Sequence, residues 1–153
     1  MADVLAFAEQ RDGEVRGAAR EAVSAAARVA AGFGGGVHAL VLGAPGIGAA
    51  ADLGRFGAAV VHAAEHPALA DYNAEGYAAV VAERIKAGGY AVVVFPATTL
   101  GKDLAPRVAA LLDVLVGAPA GLPAWLGFKM ALFLLYAAAF PLDFLDRVVA
   151  DLR

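Results

Sequence analysis

The sequence predicts an α/β fold, an open parallel sheet with helices on both faces. Two observations lead there. Four short apolar runs, residues 4–8, 37–42, 58–63 and 90–95, alternate with segments long enough to hold helices. Parallel neighbours need such crossovers, and strands buried on both faces read as continuous apolar runs. The intervening segments are rich in alanine and end in glycine, as helices closed by a left-handed cap do.

The elements follow in order. A strand at residues 4–8 leads through the polar stretch Glu9, Gln10, Arg11, Asp12 and Gly13 to a helix over residues 17–31. Asp12 and Gly13 are turn formers. The exit at residues 32–36 holds four glycines, a C-cap followed by a loop. A second strand at 37–42 precedes a short helix at 47–53 that stops at Gly54, and a third strand covers 58–63. A longer helix begins near Tyr72 or Asn73 and ends at Gly88 and Gly89, before the fourth strand at 90–95.

Beyond that strand lies the most informative stretch, FPATTLGKDLAPRVAALLD, residues 95–113. Pro96 closes the strand because it has no N–H for the ladder. Pro106 is tolerated in a first helical turn, where N–H groups are unpaired anyway. The spacing therefore predicts a helix capped near Asp103, with Pro106 in its opening turn. Leu104, Val108, Leu111 and Leu112 would form its apolar face. A strand, a polar turn and a docked helix make a ligand- or partner-facing corner in open α/β sheets.

The run from Phe95 to Asp113 resembles the alpha subunit of electron transfer flavoproteins, in the part before the flavin-binding domain. The opening VLAFAE with Arg11, Asp12 and Gly13, the HALVLG run from His38, and LADYNAE from Leu69 are similar to that family in the same order. The resemblance covers residues 2–114 and stops there. It implies a Rossmann-like sheet of the adenine nucleotide alpha hydrolase-like type, with strand order 3-2-1-4. It also implies FAD as the cofactor of an intact family member and an electron transfer flavoprotein beta subunit as partner. The expected organisation is an α/β domain at 1–114 and an apolar helical tail at 115–153 without the family's fifth strand, linker and flavin domain. Tight flavin binding by this chain alone is therefore not expected.

Composition narrows the classes. A chain of 153 residues holds one domain with a real core. A net charge of −3 and no Lys/Arg-rich segment argue against a nucleic-acid partner. Cysteine is absent, which removes disulfides, thiolate metal sites and thiol nucleophiles. Met1 leads straight into a strand without a basic and apolar leader, so a cytoplasmic location, or the mitochondrial matrix in a eukaryote, is expected.

Residues 115–142 carry a single charge, Lys129. Spanning a bilayer takes about 20 predominantly apolar residues, and Pro119, Pro123 and Pro141 interrupt this stretch. A helix over 124–140 is expected, stopped by Pro141. Leu132, Phe133, Leu134, Leu135 and Tyr136 are consecutive and cannot share one face, so protein or lipid must cover it nearly all round. Self-association or membrane contact through 124–140 is the expected consequence.

Candidate sites are few. The turn from Gly43 to Gly48 has Pro45 where a dinucleotide fingerprint needs its second glycine, so it reads as structural. His38, His62 and His66 are scattered, and no metal site is expected. The only serine, Ser24, has no nucleophile elbow; no catalytic constellation is present, and the chain reads as a non-enzyme. Two partner- or ligand-contacting regions remain. One is the polar loop with Glu9 and Arg11. The other is the corner with Thr98, Thr99, Lys102, Asp103 and Arg107. There, two hydroxyls and two cations beside a helix start could hold an anion. Asp103 and Arg107 could equally pair across one helical turn, and the threonines could satisfy loop backbone. A structural or subunit-packing role is the leading reading.

Two functions from different classes compete. The first is the scaffold portion of an electron transfer flavoprotein alpha subunit, redox-silent alone, in a complex carrying electrons from flavin dehydrogenases to the respiratory chain. The second is a free-standing nucleotide-binding or signalling module with a membrane-associating tail. A truncated or frame-shifted product without activity is the deflationary third. Absence of a phosphate-cradling glycine loop favours the first.

Overall fold

A computed structural model describes residues 2–112, with only the backbone for residues 48–51. Strand β1 (Val4–Phe7) lies at the centre of a four-stranded parallel sheet. It pairs with β4 (Val37–Gly43) on one side and β6 (Val92–Val94) on the other. β5 (Val60–Glu65) adds the far edge, giving the order β5-β4-β1-β6. In terms of the four expected runs this is 3-2-1-4. The crossovers are α1 (Gly17–Phe33), a 3-10 helix (Gly48–Phe56) and α2 (Ala74–Gly88); α3 (Thr99–Leu111) follows β6.

The pleat sorts β1 by residue size. Val4, Ala6 and Ala8 face α1, where Ala19, Ala22, Val23 and Ala26 let helix and sheet approach closely. Leu5 and Phe7 face the other layer, where Tyr77 and Val81 of α2 and Leu104 and Val108 of α3 fill a deeper space. Alternate residues pointing to opposite faces is the strand's period of two. Phe7 stacks against Phe95 at 5.7 Å between ring centroids, which ties the exits of β1 and β6 together.

Several expectations are corrected. The stretch after β1 forms a hairpin, β2 (Gln10–Arg11) with β3 (Glu14–Val15), rather than a bare turn. Asp12 at φ 54° and Gly13 at φ 80° supply the two left-handed positions that a two-residue hairpin turn requires. The helix expected at 47–53 is 3-10 and runs to Phe56, capped by Gly57 rather than stopped by Gly54. The third strand starts at Val60, two residues later than its apolar run, because Ala58 and Ala59 still complete the preceding cap and enter the sheet. The fourth strand pairs only over Val92–Val94.

Helix α3 departs most from expectation. Thr98, not Asp103, is its N-cap, and its hydroxyl accepts the Gly101 N–H at 3.0 Å. Pro106 therefore sits inside the helix, where it removes the bond that would have reached the Lys102 carbonyl. Both residues are exposed, so water can satisfy that carbonyl. Packing fixes the early start: Gly101 is buried, and a Cβ there would lie 1.9 Å from the Pro96 carbonyl oxygen. Leu104 and Val108 are buried as expected, but Leu111 is 53 % exposed, and Ala105 and Ala109 complete the inner face instead. The boundary at 114, the helix at 124–140 and the segment after Pro141 lie outside the described residues. Among the described residues, no helix is long and apolar enough to cross a membrane.

Candidate functional site

The strands end, at their carboxyl edge, on two loops. One leaves β1 through Ala8 and Glu9; the other leaves β6 through Phe95, Pro96 and Ala97 to the cap of α3. Glu9 and Thr98 are 89 positions apart, yet the Thr98 hydroxyl donates to the Glu9 carboxylate while accepting from Gly101. The Glu9 carbonyl accepts the Arg16 N–H at 3.0 Å, which closes the base of the hairpin. Arg11, Arg16 and Arg20 then line a shallow open cleft with Asp12, Glu14 and Thr98 at the start of α1. No side chain caps that helix start, and Gly17 and Ala18 of its first turn line the same cleft.

The remaining corner residues separate from this cleft. Asp103 accepts the Tyr72 hydroxyl at 2.6 Å, and the Arg107 guanidinium donates to both its oxygens at 3.2–3.3 Å. The Tyr72 hydrogen bond is the main cause, and Arg107 the next, that holds the Asp103 carboxyl below its ordinary range. Burial and the Asp103 carboxylate push the Tyr72 phenol well up. The expected Asp103–Arg107 pairing is thus present, with a tyrosine added that sequence reasoning had not connected to it. Thr99 and Lys102 are exposed, and no ion pair among the described residues includes Lys102. The structure brings Arg11 and Thr98 to one cleft, with Glu9 bonded to Thr98 beside it, and Asp103 and Arg107 of α3 to a second cluster with Tyr72, just before α2.

The turn after β4 is packed shut. A Cβ on Gly43 would lie 2.6 Å from Ile47 Cδ1 and 2.8 Å from Gln10 Nε2. Ile47 is buried, and its backbone N–H is held by the Glu65 carboxylate at 3.2 Å. Glycine in a dinucleotide loop serves to let a pyrophosphate come close to the backbone. Here side chains already occupy that approach, so the residues of this turn do not fit a flavin dinucleotide.

The histidines are not all scattered. His38 and His62 meet each other and Tyr90 at the amino edge of the sheet, opposite the cleft. Strand register brings them together: His62 pairs with Leu40, two residues from His38 on the same face of β4. The sequence offers no sign of this, because residues 24 and 28 or more apart meet only through strand pairing and the turn after α2. Among the described residues, no group of three His, Cys, Asp or Glu side chains is placed to hold a metal.

A sheet of this order, joined by helices on both faces and carrying its polar loops at the carboxyl edge, defines a doubly wound α/β domain. The family model described as electron transfer flavoprotein domain matches residues 4–119, and the chain belongs to that family. The electron transfer flavoprotein subunit alpha of Thermoanaerobacterium thermosaccharolyticum is 37% identical over 110 residues, 72% of this chain and 33% of the relative. The subunit alpha of Bacillus subtilis is 38% identical over 110 residues, with the same shares of 72% and 33%. The acryloyl-CoA reductase electron transfer subunit beta of Anaerotignum propionicum is 33% identical over 110 residues, 72% of this chain and 30% of the relative. The chain thus spans about a third of the length of the curated relatives it matches.

Proposed function

We propose that this chain is the scaffold portion of an electron transfer flavoprotein alpha subunit. It packs against a beta subunit in a complex that carries electrons from flavin dehydrogenases to the respiratory chain. The observation that carries this reading is the family match through all four strands and α3, with identities of 37% and 38% to proteins named as alpha subunits. The closed Gly43 turn supports a scaffold role, since the flavin is then held by other parts of the assembly. The carboxyl-edge cleft with Arg11 and Thr98, the Glu9 loop bonded to Thr98, and the exposed side of α3 with Thr99, Lys102 and Arg107 are the surfaces offered to the partner. The proposed organisation is the α/β unit of residues 1–114 followed by a second part at 115–153.

Absorbance and size-exclusion measurements of the purified chain, with and without a cognate beta subunit, test this. The expected result is a chain without a flavin band that co-elutes with the beta subunit. One flavin per chain in the absence of any partner overturns the scaffold reading. Stoichiometric nucleotide binding without affinity for the beta subunit favours the free-standing module.

A further inference from the structure

Three polar atoms meet at the amino edge of the sheet. His38 Nδ1 lies 2.9 Å from Tyr90 Oη and 3.1 Å from His62 Nε2, and the Tyr90 to His62 distance is 3.3 Å. Hydrogen bonds satisfy two sides of this triangle, the phenol donating to one imidazole nitrogen and accepting the N–H of the other, and leave the third side as a close contact. A cation accepting a lone pair from each corner would use all three donors at once.

The dimensions agree. Two donors about 2.1 Å from a tetrahedral ion stand about 3.4 Å apart, and two at right angles about 3.0 Å apart. The three observed separations fall close to that range. Support around the triangle is also of the right kind. Asp3 Oδ2 lies 3.8 Å from His38 Nε2, while its Oδ1 accepts the Gly36 N–H at 2.8 Å. The Asp3 carboxylate thus stands on the side of the far nitrogen, where carboxylates are common behind metal-bound histidines. Gly88 fixes the third corner, because a Cβ there would lie 2.1 Å from the Tyr90 ring.

Access and charge also bear on the site. The His38 side chain is 24 % exposed and Asp3 47 %, so an ion can reach the triangle from solvent. Burial first, then the charge of Arg84, then His38, lowers the His62 pKa. Burial raises the Tyr90 phenol, and the Arg84 charge acts in the opposite direction. Arg84 opposes a cation at this edge, and the Asp3 carboxylate offsets it. We propose that His38, His62 and Tyr90 form a binding site for a divalent late transition-metal ion of the copper and zinc class, with Asp3 as positioning residue. Two imidazoles and a phenol are nitrogen and oxygen donors that suit these ions.

Copper(II) titration of the chelator-treated full chain, followed by visible absorption and electron paramagnetic resonance, tests the site. One equivalent is expected to bind with nitrogen couplings and a phenolate-to-copper charge-transfer band. Tyr90→Phe should keep the copper and lose that band. His62→Gln, on the edge strand, should weaken binding at least about tenfold, and Asp3→Asn by about tenfold. His66→Gln should change nothing, because that residue lies in a separate loop where it caps Ala68. Circular dichroism establishes that each variant is folded. Equal affinity in a folded His62→Gln variant, no saturable binding by the native chain, or a native spectrum without the phenolate band overturns the three-ligand site.

Discussion

Thr98 donates its hydroxyl to Glu9 and accepts the Gly101 N–H with the same oxygen, so one side chain caps α3 and joins it to the exit of β1. Thr98→Ala removes both bonds and leaves the carboxylate with a lost donor. Loss of an N-cap and of a charge-assisted hydrogen bond should cost about 1–3 kcal/mol together. Thr98→Ser should recover most of it. Chemical denaturation midpoints of the two variants check this; equal midpoints for Ala and native would show the junction to be idle.

Gly101→Ala should destabilise far more than its helix propensity suggests. Alanine favours helices, but its Cβ would be driven against the Pro96 carbonyl. Overpacking of this kind costs about 1–3 kcal/mol. Gly17→Ala, at the start of α1 with nothing within 4 Å of a new Cβ, should instead be neutral or stabilising by about 0.4–1 kcal/mol. Parallel denaturation curves for the two variants give the comparison.

Acid should weaken the contact between α3 and the segment that leads into α2. The Asp103 carboxyl is held below its ordinary pKa in the folded state, by Tyr72 first and Arg107 next. A depressed carboxylate contributes stability above its unfolded pKa, near about 4, and that contribution is lost as pH falls through the folded value. Tyr72→Phe should flatten the pH dependence of stability in that acid range, and should also remove the alkaline loss of stability above about pH 10 that the raised Tyr72 phenol causes. Thermal melts from acid to alkaline pH measure it.

Lys102→Glu tests the exposed side of α3 as a partner surface with little effect on folding, since no ion pair among the described residues includes Lys102. Affinity for a cognate beta subunit should fall and its salt dependence should change. Arg107→Glu should lower affinity as well, but it also breaks the Asp103 pairing and puts two like charges four residues apart. Binding assays at two ionic strengths separate the effects, and unchanged affinity in Lys102→Glu would remove this face from the interface.

Much of the fold was legible in the sequence, and the exceptions share a cause. The four strands and the helices between them came from apolar periodicity and glycine stops, which are local properties. Helix α3 was misplaced by a local signal. Pro106 is best tolerated in a first turn, which favours Asp103 as the cap over the Thr98 the structure uses. The contact of Gly101 with the Pro96 carbonyl, which no local rule contains, decided for Thr98. The exposed Leu111 has the same origin, since helical spacing alone cannot say where the neighbouring sheet ends.

The sequence by itself determined the fold class, the parallel crossovers, the family and the residues of the carboxyl-edge loops. Hydrophobic period and turn chemistry act over a few residues, so they are written in the chain. Tertiary structure alone decided the Glu9–Thr98 junction, the Tyr72–Asp103–Arg107 cluster, the filling of the Gly43 turn by Ile47 and Gln10, and the meeting of His38, His62 and Tyr90. Each joins residues from different elements. Such contacts are set by strand register and helix docking, where a shift of one residue turns a side chain to the opposite face of the sheet.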